Sequence, residues 1–367
     1  MERGETTFVP ACRNPVGISA TAVLDRSGWA VASRLPGPWP SATGRNCRVV
    51  GWASQIGLEE SISVCAPAKL NLSLQVLARR PDGFHEIESL MVPVTLHDQL
   101  RLKRQPEGVF TLQVRFRGRL AQGNGRQLAR DVPTDDRNLA IRAVRLLAER
   151  AGVTAGLAIE LDKEIPSGAG LAGGSSDAAA AMQAAAGLWG LDWSAERLAA
   201  LSAEIGSDIP WFFARSAGLV AGRGEQVLPV TGIRPLPVVI ACPAEGLSTA
   251  AVYAACQPDA SRRGEAAALA AALAAGELRR ALPLLDNMLE PPARRLAPTV
   301  DRLLSMMSRL GAVRPLLTGS GSACFSLCRT STEARRLASR LEAAGCPGVF
   351  WGRLTPGRVK PPKAVEI

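Results

Sequence analysis

Residues 166–182, PSGAGLAGGSSDAAAAM, decide how this chain reads. Gly168, Gly170, Gly173 and Gly174 crowd into a short loop that runs straight into an alanine-rich helix. Upstream, LAIELDKEI (157–165) alternates Leu157, Ile159 and Leu161 with other residues, the period of a strand. The order is strand, glycine loop, helix. Glycine lets backbone N–H groups turn toward a ligand with no Cβ in the way. Ser175, Ser176 and Asp177 are expected to supply capping side chains. The helix start adds unpaired N–H groups and the positive end of a dipole. That combination is an anion cradle, suited to the phosphates of a nucleotide.

Three rival readings of the same letters fare worse. A flexible linker rarely continues into a helix whose first turn is Ser-Ser-Asp. Gly168, Gly170 and Gly173 match the GxGxxG dinucleotide fingerprint. Pro166 and Ser167, however, part the first glycine from the strand, and no acidic residue closes a second strand about 20 residues on. A Walker loop is excluded because no Gly-Lys-Ser/Thr follows.

A chain of 367 residues accommodates two domains, and 47% hydrophobic with 21% charged residues is ordinary for a globular protein. No apolar run approaches the roughly 18–20 residues of a membrane span. Eight cysteines, none in a CxxC pair, and two histidines, His85 and His97, offer no Cys/His metal constellation. Scattered cysteines suit a reducing compartment. The net charge of +10 is concentrated: residues 101–130 carry eight basic residues against Glu107 alone. Within them Leu112, Val114 and Phe116 alternate with Gln113, Arg115 and Arg117, which predicts a strand with one wet basic face rather than an RNA-binding stripe.

Along the chain, residues 1–58 are rich in proline, with Asp25 the one acid between Thr6 and Leu58. They read as a disordered extension, with an organelle transit peptide as the alternative. Ser61–Cys65 and Leu70–Leu77 are expected strands joined by Ala66-Pro67-Ala68, with Lys69 and Asn71 on the face opposite Leu70, Leu72, Leu74 and Val76. Arg79–His85 is a turn-rich loop; Met91–Leu96 and Asp98–Leu102 are further strands. Helices are expected over Asn138–Ala151, Ser194–Ile205, Glu265–Ala275, Leu278–Leu285, Thr299–Arg309 and Ser331–Ala343. Strands are expected over Leu219–Val230 (a hairpin or a glycine-kinked strand), Val238–Ala241, Leu316–Leu327 (strand, glycine turn, strand) and Val349–Leu354. With GIRPLP (232–237) as linker, the pattern gives two α+β domains, 59–231 and 232–355, and a loose tail 356–367.

A phosphate cradle without a Walker lysine still needs positive charge near the transferred phosphate and a base near the acceptor hydroxyl. Among five lysines, Lys69 is the best placed, directly after Pro67; the bland alternative is a solvent-facing strand lysine. Asp208, in Gly206-Ser-Asp208-Ile-Pro210, is the candidate base; the bland alternative is a helix N-cap, which Pro210 favours.

Four blocks in order, Ala66-Pro67-Ala68-Lys69-Leu70-Asn71, the loop ending Gly-Gly-Ser175-Ser176-Asp177, Gly206-Ser207-Asp208-Ile209-Pro210 and Thr318-Gly319-Ser320-Gly321-Ser322, together resemble the GHMP small-molecule kinases. The resemblance spans roughly residues 60–354. The first block, through GFHEIESL, is similar to the branch acting on a cytidine-diphosphate-linked methylerythritol in the non-mevalonate route to isoprenoids. It implies a ribosomal-protein-S5-like N-terminal domain and a ferredoxin-like C-terminal domain. ATP would lie on Pro166, Ser167, Gly168, Ala169, Gly170, Leu171, Ala172, Gly173, Gly174, Ser175 and Ser176, with Mg²⁺ bridging its phosphates. Asp208 would accept the proton of the substrate's 2-hydroxyl and Lys69 would steady the developing charge. Asn71 would contact the erythritol and His85 the cytosine edge, with Phe84 and Tyr253 sandwiching the ring. Gly319, Ser320 and Gly321 would close the site from the second domain.

Departures from the family pattern are Ser167 and Ala169, where relatives often carry Met and Gly, and Asp177, where Asn also occurs. A carboxylate there repels phosphate unless it, or Ser176, helps hold the metal. The expected partners are ATP and a small molecule, with neither nucleic acid nor membrane, in a monomer or homodimer of the cytoplasm (or a plastid, if residues 1–58 are a transit peptide). Rival functions are another kinase of the group, homoserine or mevalonate type, or a catalytically silent nucleotide- or RNA-binding protein.

Overall fold

Two long antiparallel strands dominate the computed structural model, which describes residues 61–129 and 132–357. They are β1 (Ser61–Arg79) and β2 (His85–Gln105), joined by the turn at 80–84. The segments Ser61–Cys65 and Leu70–Leu77 are thus one strand, and so are Met91–Leu96 and Asp98–Leu102. Pro67 does not break β1 because it sits at a register shift, where the ladder is already interrupted. A second shift falls between Asn71 and Ser73, so Lys69–Asn71 is framed by two irregularities that re-aim its side chains.

The first sheet has seven strands among the described residues. β3 (Phe110–Phe116), β4 (Gly156–Lys163), β2, β1 and β8 (Asp286–Asn287) follow in that order; β5 (Gly218–Gly222) pairs with the start of β2, and β6 (Gln226–Pro229) with β5. Asp286–Asn287 comes from the second half of the chain and pairs parallel with Ser73–Leu74 of β1. A second, antiparallel sheet has the order β11 (Gly348–Arg353), β7 (Pro237–Cys242), β10 (Cys324–Leu327), β9 (Leu316–Leu317). Leu316–Leu327 is strand, turn and returning strand, as its sequence predicts. All described residues fall within one compact unit.

Helices α1 (Leu139–Ala151), α2 (Gly173–Leu188), α3 (Ala195–Ser202) and α4 (Ile209–Phe213) cover the first sheet. α1 starts on the Asn138 side chain, which accepts from the Ala140 N–H, and ends on left-handed Gly152. The alanines of α2 bury it nearly all round, because small side chains allow close approach to α1 and the sheet. On the second half lie α5 (Thr249–Ala254), α6 (Glu265–Ala274), α7 (Leu278–Ala281), α8 (Glu290–Leu296), α9 (Pro298–Arg309) and α10 (Ser331–Ala343). Leu278–Leu285 is helical only to Leu284, its second part as a 3₁₀ turn. Buried Glu88 of β2 accepts from the N–H groups of Gly264 and Ala266, acting as a capping carboxylate for α6 from another element. No described helix is long and apolar enough to cross a membrane.

The basic face of β3 is matched by acids on β4. Arg115 meets Asp162 at 2.8 Å, Arg117 meets Asp162 at 3.3 Å and Lys103 meets Glu160 at 2.7 Å, while Arg119 reaches Glu342. This charge is spent on partly exposed intramolecular pairs, each worth about 0–1 kcal/mol.

A different pairing lies under the glycine loop. Lys163, at the end of β4 and 2% exposed, donates to Asp98 at 2.5 Å and to Asp177 at 2.8 Å. Asp98 also accepts from the N–H groups of Glu164 and Ile165. One cation thus serves two buried acidic side chains. Burial, with Asp98 alongside, pushes the Asp177 carboxyl up to about 8 against the pull of Lys163. Lys163→Met is expected to cost about 3–5 kcal/mol in urea unfolding, since buried Asp98 loses its cation and Asp177 loses its hydrogen-bond donor. Asp177→Asn, which mimics the protonated acid, should cost far less. The folded chain holds an Asp177 proton that the unfolded chain releases near 3.8, so this group's contribution is complete in acid and is lost as pH rises from about 4 toward 8. Wild-type stability relative to Asp177→Asn should therefore decline across that window in unfolding midpoints measured at several pH values.

Candidate active site

The glycine loop ends in left-handed backbone: Gly168 at φ 67°, Gly170 at φ 77° and, unusually for a residue with a Cβ, Ala172 at φ 55°. Strain at a non-glycine residue survives only where the surroundings impose it, and it clusters at functional sites. Ala172 occupies the N-cap of α2 and offers no side-chain cap. This corrects the expectation that Ser175, Ser176 and Asp177 cap the helix. Asp177 Oδ2 is taken by Lys163, and Ser176 Oγ is buried without a partner among the described residues. Among the described residues no side chain caps the start of α2.

Lys69 is not a solvent-facing lysine: it is 3% exposed, its Nζ donating to Asn71 Oδ1 at 2.5 Å and to the Gly170 carbonyl at 2.8 Å. Its own N–H donates to the Leu171 carbonyl at 3.1 Å. Burial lowers the Lys69 pKa, and the charge of Asp208 pulls the other way. Asn71 passes the network on: Nδ2 donates to Ser89 Oγ at 2.7 Å, and that hydroxyl donates to the Ser73 carbonyl at 2.6 Å. The polar face of β1 is therefore as buried as its apolar face, but against the loop.

Asp208 holds the N-cap position of α4 with Pro210 following, yet its side chain caps nothing. Among the described residues the half-buried carboxylate accepts no hydrogen bond, and its charge is felt by Lys69 and Tyr253. It has what a proton acceptor needs, reach into the site and an uncommitted oxygen.

The second half of the chain closes over this group. Asn71 N–H donates to Thr318 Oγ1 at 3.0 Å, and Ala323 N–H to the Ala169 carbonyl at 3.0 Å. Asn287 Nδ2 donates to the carbonyls of Leu317 and Gly319 at 2.9 and 2.8 Å, holding the 318–321 turn. Ser320 Oγ meets Thr249 Oγ1 at 2.8 Å, which ties the turn to α5. Gly319 and Gly321 therefore lie close against the loop and Lys69. A Cβ on Gly319 would stand 3.1 Å from Lys69 Nζ, and one on Gly170 would stand 3.0 Å from the Gly321 nitrogen.

α5 carries Tyr253, whose ring centroid lies 5.2 Å from that of His85 at the start of β2. Burial pushes the Tyr253 hydroxyl pKa up. Burial, then Arg79, lowers the pKa of His85, which keeps the imidazole neutral near pH 7, with one ring nitrogen to donate and one to accept. Phe84 is 49% exposed, and Arg223 Cζ lies 5.0 Å from its ring centroid. Among the described residues Tyr253 thus pairs with His85, and Phe84 lies beside Arg223.

Lys163, Asp98, Asn287 and Arg223 are not singled out by the sequence, and Thr318 enters it only as the first residue of the fourth block. Lys163 alone carries a signal, a lysine closing the strand that feeds the loop. The others are brought in by pairings distant in sequence.

No group of three or more His, Cys, Asp or Glu side chains that could hold a metal occurs among the described residues. Gly170→Ala places its methyl 2.3 Å from the Thr318 carbonyl at a positive φ, so thermal unfolding should show a loss of about 2 kcal/mol or more. Gly174→Ala, whose methyl would meet only Leu139 Cδ1 at 3.6 Å, should be neutral or stabilising by up to about 1 kcal/mol.

Residues 138–215 match the family of GHMP kinases N terminal domains and residues 252–346 that of GHMP kinases C terminal domains. The chain is 38% identical over 292 residues to the 4-diphosphocytidyl-2-C-methyl-D-erythritol kinase of Shouchella clausii (strain KSM-K16), covering 80% of this chain and 94% of that one. It is 39% identical over 289 residues to the same-named kinase of Bacillus velezensis, covering 79% and 95%. A crystal structure of 4-(cytidine 5'-diphospho)-2C-methyl-D-erythritol kinase superposes with a TM-score of 0.65 at 35% identity, over 81% of this chain and all of the other. Homoserine kinase from Cytophaga hutchinsonii, 21% identical with a TM-score of 0.62 over 83% and 98% of the two chains, shares the fold. The chain therefore belongs to the GHMP kinases, within the family of 4-diphosphocytidyl-2-C-methyl-D-erythritol kinases.

Proposed function

We propose that the chain transfers the γ-phosphate of ATP to the 2-hydroxyl of 4-diphosphocytidyl-2-C-methyl-D-erythritol, a step in making isoprenoid precursors. The observation that carries this reading is one site joining a buried Lys69–Asn71 pair and an uncommitted Asp208 to a His85–Tyr253 pair able to read a base.

ATP phosphates would rest on Gly168–Ser176, with N–H groups at the start of α2 as donors. Magnesium would supply charge neutralisation on those phosphates. Asp208 takes the proton of the acceptor hydroxyl, and Lys69 holds that oxygen as charge develops. Asn71 fixes the Lys69 ammonium and faces the polyol. The lowered pKa of Lys69 leaves it less strongly solvated, and so a better partner for an oxyanion, than an exposed lysine. Catalysis is positioning plus electrostatics, as in other phosphoryl transfers. Neutral His85 donates to and accepts from the cytosine edge, which a homoserine or mevalonate kinase has no need to read. With the chain divided near Gly232, residues 59–231 would supply the ATP loop and base and residues 232–355 the closing turn and Tyr253.

The test is ADP release with ATP and Mg²⁺ and, separately, diphosphocytidyl-methylerythritol, mevalonate and homoserine as acceptor. Turnover is expected with the first alone; turnover with another acceptor would sink the cytosine reading. Asp208→Asn should lower kcat about 10²–10⁴-fold and leave ATP binding within about twofold. Equal loss of binding and turnover would make Asp208 structural.

A further inference from the structure

The β5–β6 turn carries a cation that none of these roles uses. Arg223 lies between Gly222 and Gly224, and its N–H donates to Glu225 Oε2 at 2.7 Å, which fixes the turn backbone. Its guanidinium makes no hydrogen bond or salt bridge among the described residues. Its Cζ sits 5.0 Å from the Phe84 ring centroid. On the other side, Gly224 abuts the proposed base: a methyl there would stand 3.4 Å from Asp208 Oδ1 and 3.5 Å from the Ser207 carbonyl. The turn thus runs from the edge of the base-reading pair to the proton acceptor. Neighbouring charges are already engaged: Asp82 accepts from Arg80 at 3.3 Å and from the Phe84 N–H at 3.1 Å, and Arg80 also meets Glu86 at 2.7 Å.

An acceptor whose cytosine lies at His85–Tyr253 and whose hydroxyl lies at Asp208 must thread its two anionic phosphates between them. We propose that Arg223 receives that diphosphate, and so sets the specificity for a nucleoside-diphosphate-linked polyol over a bare one. The inference rests on the functional reading above. A guanidinium presents a planar fork of donors that matches two phosphate oxygens, and its place over Phe84 leaves that edge free. Half-burial of Arg223 keeps the attraction from being fully screened by salt.

ATP is the other source of phosphate in the site, so the kinetics must separate the two. In ADP-release assays, Arg223→Gln should raise KM for diphosphocytidyl-methylerythritol about 10- to 100-fold, the range of a lost charge-assisted contact, and leave KM for ATP within about twofold. Arg223→Lys should recover part of that loss. In equilibrium binding, Arg223→Gln should weaken cytidine diphosphate and leave cytidine unchanged, with thermal unfolding confirming an intact fold. An unchanged acceptor KM overturns the proposal, as does a rise confined to ATP. Equal loss for cytidine and cytidine diphosphate also overturns it, since Arg223 would then only support Phe84. Wild-type protein inert toward this acceptor overturns the functional reading first, before any variant is made.

Discussion

An ammonium group held out of water organises this molecule. Lys69 is buried between a strand, a glycine loop and a turn from the far half of the chain, bonded to Asn71 and to the Gly170 carbonyl. Burying a lysine costs free energy unless its donors are matched, and the fold matches two of them with one side chain and one backbone oxygen. The loop must therefore approach β1 closely at Gly170, where a Cβ would collide with the Thr318 carbonyl. Strand, loop and turn are in this way locked together by geometry that glycine alone satisfies.

A second buried lysine works at the other side of the loop. Lys163 joins Asp98 of β2 to Asp177 of α2, so the strand feeding the loop and the helix leaving it are tied to the same sheet. The two lysines differ in kind. Lys163 is matched by two acidic side chains and its pKa rises despite burial, whereas Lys69 faces one carboxylate at longer range and its pKa falls. Charge is stored permanently under the loop and kept uncommitted above it.

The second half of the chain acts on the site mainly through its backbone. Asn287 enters the first sheet as part of β8 and from there holds two carbonyls of the 317–319 segment. Ser320 is joined to Thr249, the first residue of the helix bearing Tyr253. The closing turn and the base-reading ring are therefore positioned by one connected set of contacts. A kinase site gains from this because misplacing reacting groups by about 1 Å can cost a hundredfold in rate.

Much of this is legible in the letters. The glycine loop between an alternating strand and an alanine helix is a local pattern, and so are the capped helices Leu139–Ala151 and Ser331–Ala343. Lys69, Asp208 and His85 stand out by motif, and the structure brings them into one region. What local pattern misjudges is the continuity of β1 and β2, because Pro67 reads as a break until the register shift that accommodates it is seen. Capping by Ser176 and Asp177 is misjudged for the same reason, since the partner that claims Asp177 is a lysine fourteen residues earlier. Sequence by itself determined which segments become loop, strand and helix, since period and glycine content act within a few residues. Only the tertiary structure decided which charges are buried, which are paired and which are left free, because those depend on contacts between residues far apart in the chain.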